Sequence, residues 1–227
     1  MGNEVRLFST LGLRGALVGL AQQYQATRGV ALEVDYAPTV GLLKRLREGE
    51  KADVLILTRE GLDELVAEGT VVASSKVDLA RSYVGIAVKA GDPHPDISTE
   101  KALVSALLAA RSVAYSNIGA SGIYFAELIQ KLGIAADINA KATITAGFTA
   151  ERLITGEADL AVQQLSELKQ VVGVELIGKI PLSLQTAAIF TGGRMASSEN
   201  AGEADALLTY LASPEVAPAL RESGLEP

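Results

Sequence analysis

Strand-like and helix-like hydropathy patterns alternate along almost the whole chain of 227 residues, and this order constrains the fold more than any other feature. The run Val54–Leu57 is apolar throughout, as in a strand that is buried on both faces. Apolar side chains between Leu13 and Tyr24 instead recur at helical spacing. An alternating order of this kind predicts an α/β fold with parallel sheets that are covered by helices on both faces.

The strand–helix series occurs twice, which predicts two lobes. The first three units end near Ala80, and a second series begins at Tyr83. Two further helices follow the final predicted strand and are expected to return to the first lobe. We therefore expect a discontinuous first lobe (residues 1–81 plus 190–227), a second lobe (residues 82–189), and a hinge and ligand cleft between them. The predicted strands are Glu4–Phe8, Val30–Tyr36, Asp53–Leu57, Tyr83–Val88, Val113–Ser116, Ala142–Ile144, Asp159–Gln163, Val174–Ile177 and Leu184–Phe190.

The amino-acid composition argues against several kinds of partner and functional site. The chain has 20 Lys and Arg against 27 Asp and Glu, a formal charge of −7. This balance argues against nucleic acid or an anionic lipid surface as a main partner, because both require a basic face. The absence of cysteine and the single histidine, His94, exclude disulfides, thiolate nucleophiles, zinc–sulfur sites and a histidine-rich metal centre. We therefore expect neither a metal nor a cofactor.

The sequence does not determine whether the protein is cytoplasmic or periplasmic. No segment approaches the roughly 18 consecutive apolar residues of a membrane span. Because Val5–Phe8 already has the pattern of a strand, no signal peptide is predicted. Either the protein is cytoplasmic, or it is periplasmic after removal of a leader that this chain lacks, with Met1-Gly2 as an added start.

Four strand-to-helix turns with small polar residues form the candidate binding site. Ligands of open α/β sheets bind beyond the carboxyl ends of the strands, where helix N-termini present free N–H groups. The turns contain Ser9-Thr10, Pro38-Thr39, Ser116 to Ser121, and Gly147-Phe148-Thr149. A pair of turns from each lobe would make an anion site that needs no net positive charge. The alternative for each hydroxyl is an N-cap, worth about 1 kcal/mol of helix stability.

Two further side-chain types bear on the ligand. Arg14, predicted one turn into the first helix and opposite its apolar stripe, is either a bidentate carboxylate ligand or an ordinary surface arginine. Gln163 and Gln164 end an apolar strand, an unusual place for two amides unless one lines a cleft. The turn Gly119–Gly122 lacks the lysine of a P-loop and the pattern G-x-G-x-x-G, which disfavours a nucleotide.

Several segments of the chain resemble the periplasmic molybdate-binding proteins of ABC transporters. They are Phe8-Ser9-Thr10-Leu11, Tyr36-Ala37-Pro38-Thr39, Gly49-Glu50-Lys51-Ala52-Asp53-Val54, Gly156-Glu157-Ala158-Asp159-Leu160 and Leu211-Ala212-Ser213-Pro214. The resemblance runs from about Val5 to Leu225. It implies a type II periplasmic-binding-protein fold: two α/β lobes, each with a five-stranded sheet, joined by a hinge and closing an interlobe cleft over an oxyanion. The partners it implies are a small anionic ligand and the membrane permease of a transporter, for a monomeric protein.

The resemblance also implies site residues. In the first lobe they are Thr10 and Thr39, and in the second they are Ser121 with the neighbouring amides of Ala120 and Gly122, and the amides of Phe148 and Thr149. Two positions depart from the family. Gln164 stands where the molybdate binders have a tyrosine that contacts the oxyanion, and Arg14 is foreign to sites that use uncharged donors. With the segments Leu13–Ala16 and Ala120–Phe125, they are more similar to a divergent branch that includes aconitate isomerase-like proteins.

Two functions follow as expectations. The first is a solute-binding protein that closes around a small oxyanion or organic carboxylate for import; an arginine and amides suit a carboxylate better than molybdate. The alternative is an isomerase that moves a proton along a small unsaturated polycarboxylate such as aconitate. Its candidate bases are Tyr115, Tyr124 and Glu151, none with an evident activating partner. A cytoplasmic ligand-sensing module is a third possibility.

Overall fold

The computed structural model describes residues 4–227, so the expected Met1-Gly2 start lies outside the described part. The chain divides into two compact units. Unit 1 comprises the residues up to Ser82 together with Ala188–Pro227, and unit 2 comprises Tyr83–Ala187. The division expected from the sequence differs from this one by one residue at the first crossing and by two at the second. Within residues 4–227, no helix is both long and apolar enough to cross a membrane.

Strands and helices alternate along most of the chain, as the hydropathy pattern predicts. The strands are β1 (Glu4–Ser9), β2 (Ala31–Tyr36), β3 (Val54–Thr58), β4 (Val77–Ser82), β5 (Val84–Lys89), β6 (Val113–Tyr115), β7 (Ala142–Ile144), β8 (Leu160–Gln164), β9 (Val174–Lys179) and β10 (Ala188–Arg194). The helices are α1 (Arg14–Arg28), α2 (Thr39–Arg47), α3 (Arg59–Ala67), α4 (Glu100–Ala109), α5 (Ala120–Lys131), α6 (Ala135–Asn139), α7 (Glu151–Ile154), α8 (Leu165–Leu168), α9 (Ala201–Leu211) and α10 (Ala217–Glu222).

Unit 1 is built on a five-stranded sheet in the order β2-β1-β3-β10-β4. The first three of these strands are parallel, but β10 runs antiparallel to both β3 and β4. The prediction of a wholly parallel sheet is therefore wrong, because the chain returns to unit 1 as a strand and only then as helices. The predicted strand Leu184–Phe190 is also misplaced: β10 begins at Ala188 and belongs to unit 1. The edge strand β4 was not predicted.

Helices cover both faces of this sheet. On one face, the apolar stripe of α1 packs with α9 and α10 in a core that includes Leu17, Tyr24 and Leu207. On the other face, α2 and α3 bury Leu42 and Leu62 against Phe8 and its neighbours. Their burial removes apolar side chains from water on both sides of the sheet and fixes its position between the layers.

Unit 2 repeats the plan with the strand order β7-β6-β8-β5-β9. Strands β7, β6 and β8 are parallel, whereas β5 is antiparallel to β8 and β9. Helices α4, α5 and α6 cover one face, where Phe125 is fully buried. Helices α7 and α8 cover the other face through Leu153 and Leu168. The two α/β units with five-stranded sheets that the resemblance implies are confirmed; the hinge and the cleft stay predictions.

The parallel strands bring the polar turns of each unit to one sheet edge. In unit 1, Ser9 at the end of β1 is in register with Tyr36 at the end of β2. In unit 2, Tyr115 at the end of β6 is in register with Ile144 at the end of β7. Within each unit, the residues that follow these strands therefore emerge at the same edge, where ligands of such sheets bind.

Candidate functional site

The turn after β1 leaves one hydroxyl, that of Thr10, without a protein partner among the described residues. Thr10 is 6% exposed, and its backbone N–H donates to the Ile56 carbonyl at 2.9 Å. Its Oγ1 has no hydrogen-bond partner among residues 4–227. The neighbouring Ser9 hydroxyl is fully buried and donates to the Thr10 carbonyl at 3.1 Å. Of the two predicted hydroxyls, Thr10 is therefore the one that can serve a ligand, and Ser9 stabilises the turn.

The turn after β2 places an uncapped helix N-terminus beside Thr39. Helix α2 follows Pro38 and has no side-chain cap, and the N–H groups of Thr39 and Val40 have no acceptor in the described chain. The Thr39 Oγ1 accepts the Thr58 N–H at 3.2 Å, which leaves the hydroxyl hydrogen available for donation. The first turn of α2 thus offers several donors at the positive end of the helix dipole.

Arg14 is the first residue of α1, not a residue one turn into it, because a 3₁₀ turn over Leu11–Leu13 precedes the helix. It is exposed, and its guanidinium carbon lies 5.8 Å from the ring centroid of Tyr36. A cation in the first turn opposes the helix dipole, at a cost of about 0.3–1 kcal/mol. Helix stability therefore does not explain why arginine stands here, whereas an anion near the same helix end would.

In unit 2, Ser116 shapes the loop that leads into α5. Its Oγ accepts the N–H groups of Ile118 and Gly119 at 3.2 and 3.1 Å, so Ser116 positions the loop from within. Helix α5 begins at Ala120 without a side-chain cap, and the N–H groups of Ala120 and Ser121 have no acceptor among the residues described. The Ser121 residue is 3% exposed, and its hydroxyl has no partner there either.

Gly122 is required by a close backbone approach. A Cβ atom at this position would lie 1.6 Å from the Ser116 carbonyl oxygen. The Gly122 N–H also donates to the Gly119 carbonyl at 3.0 Å, which closes the first turn of α5. The absence of a side chain therefore lets the start of α5 pack against the Ser116 carbonyl.

The loop after β7 differs from the prediction, because Gln163 occupies its donors. The Gln163 Oε1 accepts both the Thr149 N–H at 2.8 Å and the Thr149 hydroxyl at 3.0 Å. The Gln163 Nε2 donates to the Gly147 carbonyl at 3.2 Å. Thr149 is fully buried and, in this arrangement, is not a free donor. Phe148, the other predicted residue of this loop, is half-buried.

Gln164, the next residue along β8, has the opposite environment. It is 4% exposed, and its Oε1 is buried without a hydrogen-bond partner in the described residues. Buried carboxamide oxygens are normally paired, and an orphan of this kind calls for an explanation. A ligand that reaches the end of β8 is one such explanation, and it agrees with the prediction that one of the two glutamines contacts the ligand.

Glu167 is a buried acid just beyond these glutamines. Burial raises the pKa of its carboxyl to about 7, although two hydrogen bonds, from the Gln164 backbone N–H and from the Gln163 side chain, favour the ionised form. Gln164 is the N-cap of α8 and Glu167 is its third residue, so the backbone contact matches one half of a capping box.

The N-cap alternative fails for the predicted hydroxyls. None of the helices that follow the four turns has a side-chain cap, whereas α3 and α4 are capped by Thr58 and Thr99. Of these two caps, Thr58 contacts the candidate site through its N–H, which donates to Thr39 Oγ1. Ser116 comes nearest to a capping role, and it bonds to N–H groups of the loop before α5.

The candidate bases of the isomerase alternative are poorly suited to proton abstraction. Burial raises the pKa of Tyr124 to about 12, and its hydroxyl donates to the Leu184 carbonyl at 3.0 Å. Burial also raises the pKa of Tyr115, whose hydroxyl donates to Asn139 Oδ1 at 2.7 Å. Both phenols are therefore protonated at neutral pH. Glu151 is exposed in the first turn of α7.

With this geometry in hand, the chain was compared with known proteins. A family model described as bacterial extracellular solute-binding protein matches residues 5–226. The chain belongs to this family. A relative from Pseudomonas sp., named aconitate isomerase, is 37% identical over 97% of this chain and 87% of its own length. The family relationship and this relative confirm the resemblance stated from the sequence.

Solved structures of solute-binding proteins share the fold. The periplasmic molybdate-binding protein of Azotobacter vinelandii aligns with a TM-score of 0.82 and 16% identity over 97% of this chain and 98% of that one. The sulfate-binding protein of Mycobacterium tuberculosis aligns with a TM-score of 0.80 and 17% identity over 99% and 87%. This solute-binding family member therefore has the periplasmic-binding-protein fold.

Sequence reasoning missed how Gln163 and Glu167 act. Gln163 was noticed only as half of an unusual pair, and Glu167 was not singled out. The spacing of Gln164 and Glu167, three residues apart at the end of a strand, is the signal that would have pointed to the contact between them. No sequence signal separates the orphan amide of Gln164 from the fully bonded amide of Gln163.

Replacing Gly122 by alanine should disrupt the start of α5. The new Cβ cannot coexist with the Ser116 carbonyl, so we expect a loss of about 1–3 kcal/mol in the free energy of unfolding. Gly202→Ala is the matched control, because a Cβ in the first turn of α9 meets nothing within 4 Å. Alanine there should stabilise the protein by up to about 1 kcal/mol. Urea unfolding of both variants checks this; equal effects would contradict the role of Gly122.

Glu167→Gln should change how stability depends on pH. The folded-state pKa of Glu167 is raised to about 7 from 4.5, so its protonated form favours folding. That contribution is complete below pH 4.5 and is lost as the pH rises through 7. Relative to wild type, the variant should gain up to about 3 kcal/mol between pH 5 and pH 8. Urea unfolding at both values measures this; curves that stay parallel would show that Glu167 titrates normally.

Proposed function

We propose that this protein binds a small organic carboxylate, of which aconitate is the type, through hydroxyl and backbone N–H donors of the kind that each unit presents at its sheet edge. The observation that carries the proposal is the presence in each unit of a hydroxyl without a protein partner, on the buried residue Thr10 or Ser121, at the same sheet edge as an uncapped helix N-terminus. Donors that have no protein partner are available to an anion.

The energetics of such donors suit an anionic group. A hydrogen bond with a charged partner contributes about 1.5–3 kcal/mol, roughly twice as much as a neutral one. The free N–H groups of Thr39 and Ala120 lie in the first turns of α2 and α5, where the helix dipole adds to the attraction. A protein with a net charge of −7 can bind an anion in this way, because the donors act locally.

A carboxylate is favoured over molybdate by Arg14 and Gln164. A guanidinium forms paired, planar hydrogen bonds with a carboxylate. The buried carboxamide of Gln164 can bond to a second polar group of an organic molecule. The relative at 37% identity, named for an activity on aconitate, supports the same ligand class.

The family points to the biological setting of the binding event. Its description as bacterial and extracellular supports a periplasmic location, and we propose that the loaded monomer delivers its ligand to the permease of an ABC transporter. No metal or cofactor is needed for this function, since the proposed contacts are all made by protein donors.

Removing either orphan hydroxyl should weaken binding. Thr10→Val and Ser121→Ala each delete one donor without removing a cap, so we expect at least about a tenfold rise in the Kd for trans-aconitate, the equivalent of about 1.4 kcal/mol. Thr209→Val and Ser105→Ala are controls on exposed helix surfaces. Calorimetric titration with trans-aconitate, sulfate and molybdate measures the effect. Unchanged affinity in both site variants would refute the assigned donors, and binding of molybdate alone would refute the carboxylate.

The second candidate function is isomerisation of the bound polycarboxylate. The name of the Pseudomonas relative favours it. In this function Arg14 would hold a carboxylate while the N–H donors stabilise the negative charge that develops as a proton leaves. The raised pKa values of Tyr115 and Tyr124 argue against either phenol as the base.

Incubation with cis-aconitate separates the two functions. If the protein only binds its ligand, the cis and trans isomers should not interconvert above the rate without protein, as followed by chromatography. If it is an isomerase, conversion should occur and should be lost in Ser121→Ala. Conversion that is equally fast in Thr10→Val, Ser121→Ala and wild type would place the reaction at another site.

A further inference from the structure

A buried glycine stands in α3 at a position where helix propensity disfavours it. Gly61 is the third residue of this helix, and its φ is not positive. Glycine is the least favourable helical residue apart from proline, and alanine is the most favourable. Because the backbone conformation here is open to any residue, the reason for a glycine has to lie in what surrounds it.

The atom closest to the open side of Gly61 is the methyl carbon of Thr39. A Cβ atom at position 61 would lie 2.5 Å from Thr39 Cγ2, against about 3.5–4.0 Å for two carbons at their best separation. The next atoms, Thr58 Oγ1 and Leu43 Cδ1, would lie at 3.4 and 3.6 Å. These two distances are ordinary contacts, so the missing side chain makes room for the Thr39 methyl group in particular.

The oxygen of the same Thr39 side chain is held by Thr58. The Thr58 backbone N–H donates to Thr39 Oγ1 at 3.2 Å. As the cap of α3, Thr58 also accepts the Gly61 N–H on its own Oγ1 at 3.4 Å. The cap thus holds Gly61 next to Thr58, and these two residues contact the two branches of one threonine side chain.

Two such contacts are needed to give the Thr39 hydroxyl one direction. In a helix, the threonine side chain divides between two rotamers, whereas valine and isoleucine strongly prefer one. Only one rotamer of Thr39 places Oγ1 at the Thr58 N–H and Cγ2 over Gly61. Since Oγ1 accepts that N–H, its own hydrogen is directed elsewhere and is left for a ligand.

We propose that Gly61 is a positioning residue for the Thr39 hydroxyl, because its missing side chain admits the Thr39 methyl group. An alanine at 61 would displace Cγ2, turn the side chain about χ1 and withdraw Oγ1 from the Thr58 N–H. All three residues belong to unit 1. This inference rests on the proposed function and adds to it a residue that acts on the ligand through Thr39.

A double-mutant cycle tests this role. The Kd for trans-aconitate is measured by calorimetry for wild type, Gly61→Ala, Thr39→Ser and the protein with both substitutions. Serine keeps the hydroxyl but lacks Cγ2, so nothing remains for the new Cβ to displace. We expect Gly61→Ala to raise the Kd at least about tenfold when Thr39 is present, and less than about twofold in the Thr39→Ser background.

Gly19→Ala is the matched control. Gly19 is an exposed residue inside α1, where a Cβ would meet nothing within 4 Å, and its replacement should leave the Kd unchanged. If Gly61→Ala raises the Kd equally in both backgrounds, its effect does not pass through the Thr39 methyl group and the positioning role is overturned. A Kd that Gly61→Ala leaves at the wild-type value overturns it as well. Either result leaves the proposed function standing.

A measurement without ligand decides the matter if Gly61→Ala does not fold or trans-aconitate does not bind. Three-bond NMR couplings between the Thr39 methyl carbon and the backbone report its χ1 angle. Wild type should show a single rotamer; Gly61→Ala should show another, with a shifted Thr58 amide resonance. Couplings averaged over rotamers in wild type would by themselves overturn the inference. Absence of trans-aconitate binding to wild type would instead overturn the proposed function, and the couplings would then test the positioning of Thr39 alone.

Discussion

Hydrogen-bond donors that the chain itself leaves unsatisfied are the feature on which the rest of this structure depends. A helix that begins without a cap leaves several backbone N–H groups free for water or a ligand. Here α2 and α5 both begin without a side-chain cap, directly after parallel strands. The hydroxyls of Thr10 and Ser121, two buried residues, add donors at the same sheet edges. We propose that these donors bind an anion.

The two units reach this arrangement by different local means. In unit 1, the donors follow from the strand register and from an arginine at a helix start where the dipole disfavours it. In unit 2, the loop before α5 is shaped by Ser116 and by a glycine that admits the Ser116 carbonyl, and a second loop is held by Gln163. A shared fold thus carries different side chains at equivalent strand ends.

Much of this could be read from the sequence, and the exceptions have physical reasons. The apolar run Val54–Leu57 and the helical stripe of α1 identify their elements because burial dictates their pattern. The edge strand β4 is harder to detect, since its burial alternates irregularly, and β10 was displaced because Ala188–Arg194 contains two glycines in place of apolar residues. Thr10, Thr39 and Ser121 could be proposed as ligand-binding residues, because ligands of open α/β sheets bind at the carboxyl ends of the strands. The hydrogen bonds from Thr149 to Gln163 could not be predicted, because they depend on the orientation of one side-chain amide.

The central claim is that uncapped helix starts and orphan hydroxyls bind an anion, and backbone NMR tests it most directly. Trans-aconitate, sulfate and molybdate would each be titrated into the isotopically labelled protein while the amide resonances of Thr39, Val40, Ala120 and Ser121 are followed. The account predicts that trans-aconitate shifts these four resonances in a saturable manner and more than it shifts the rest of the chain. Saturable binding that leaves all four unmoved, or no binding of any of the three anions, would contradict it.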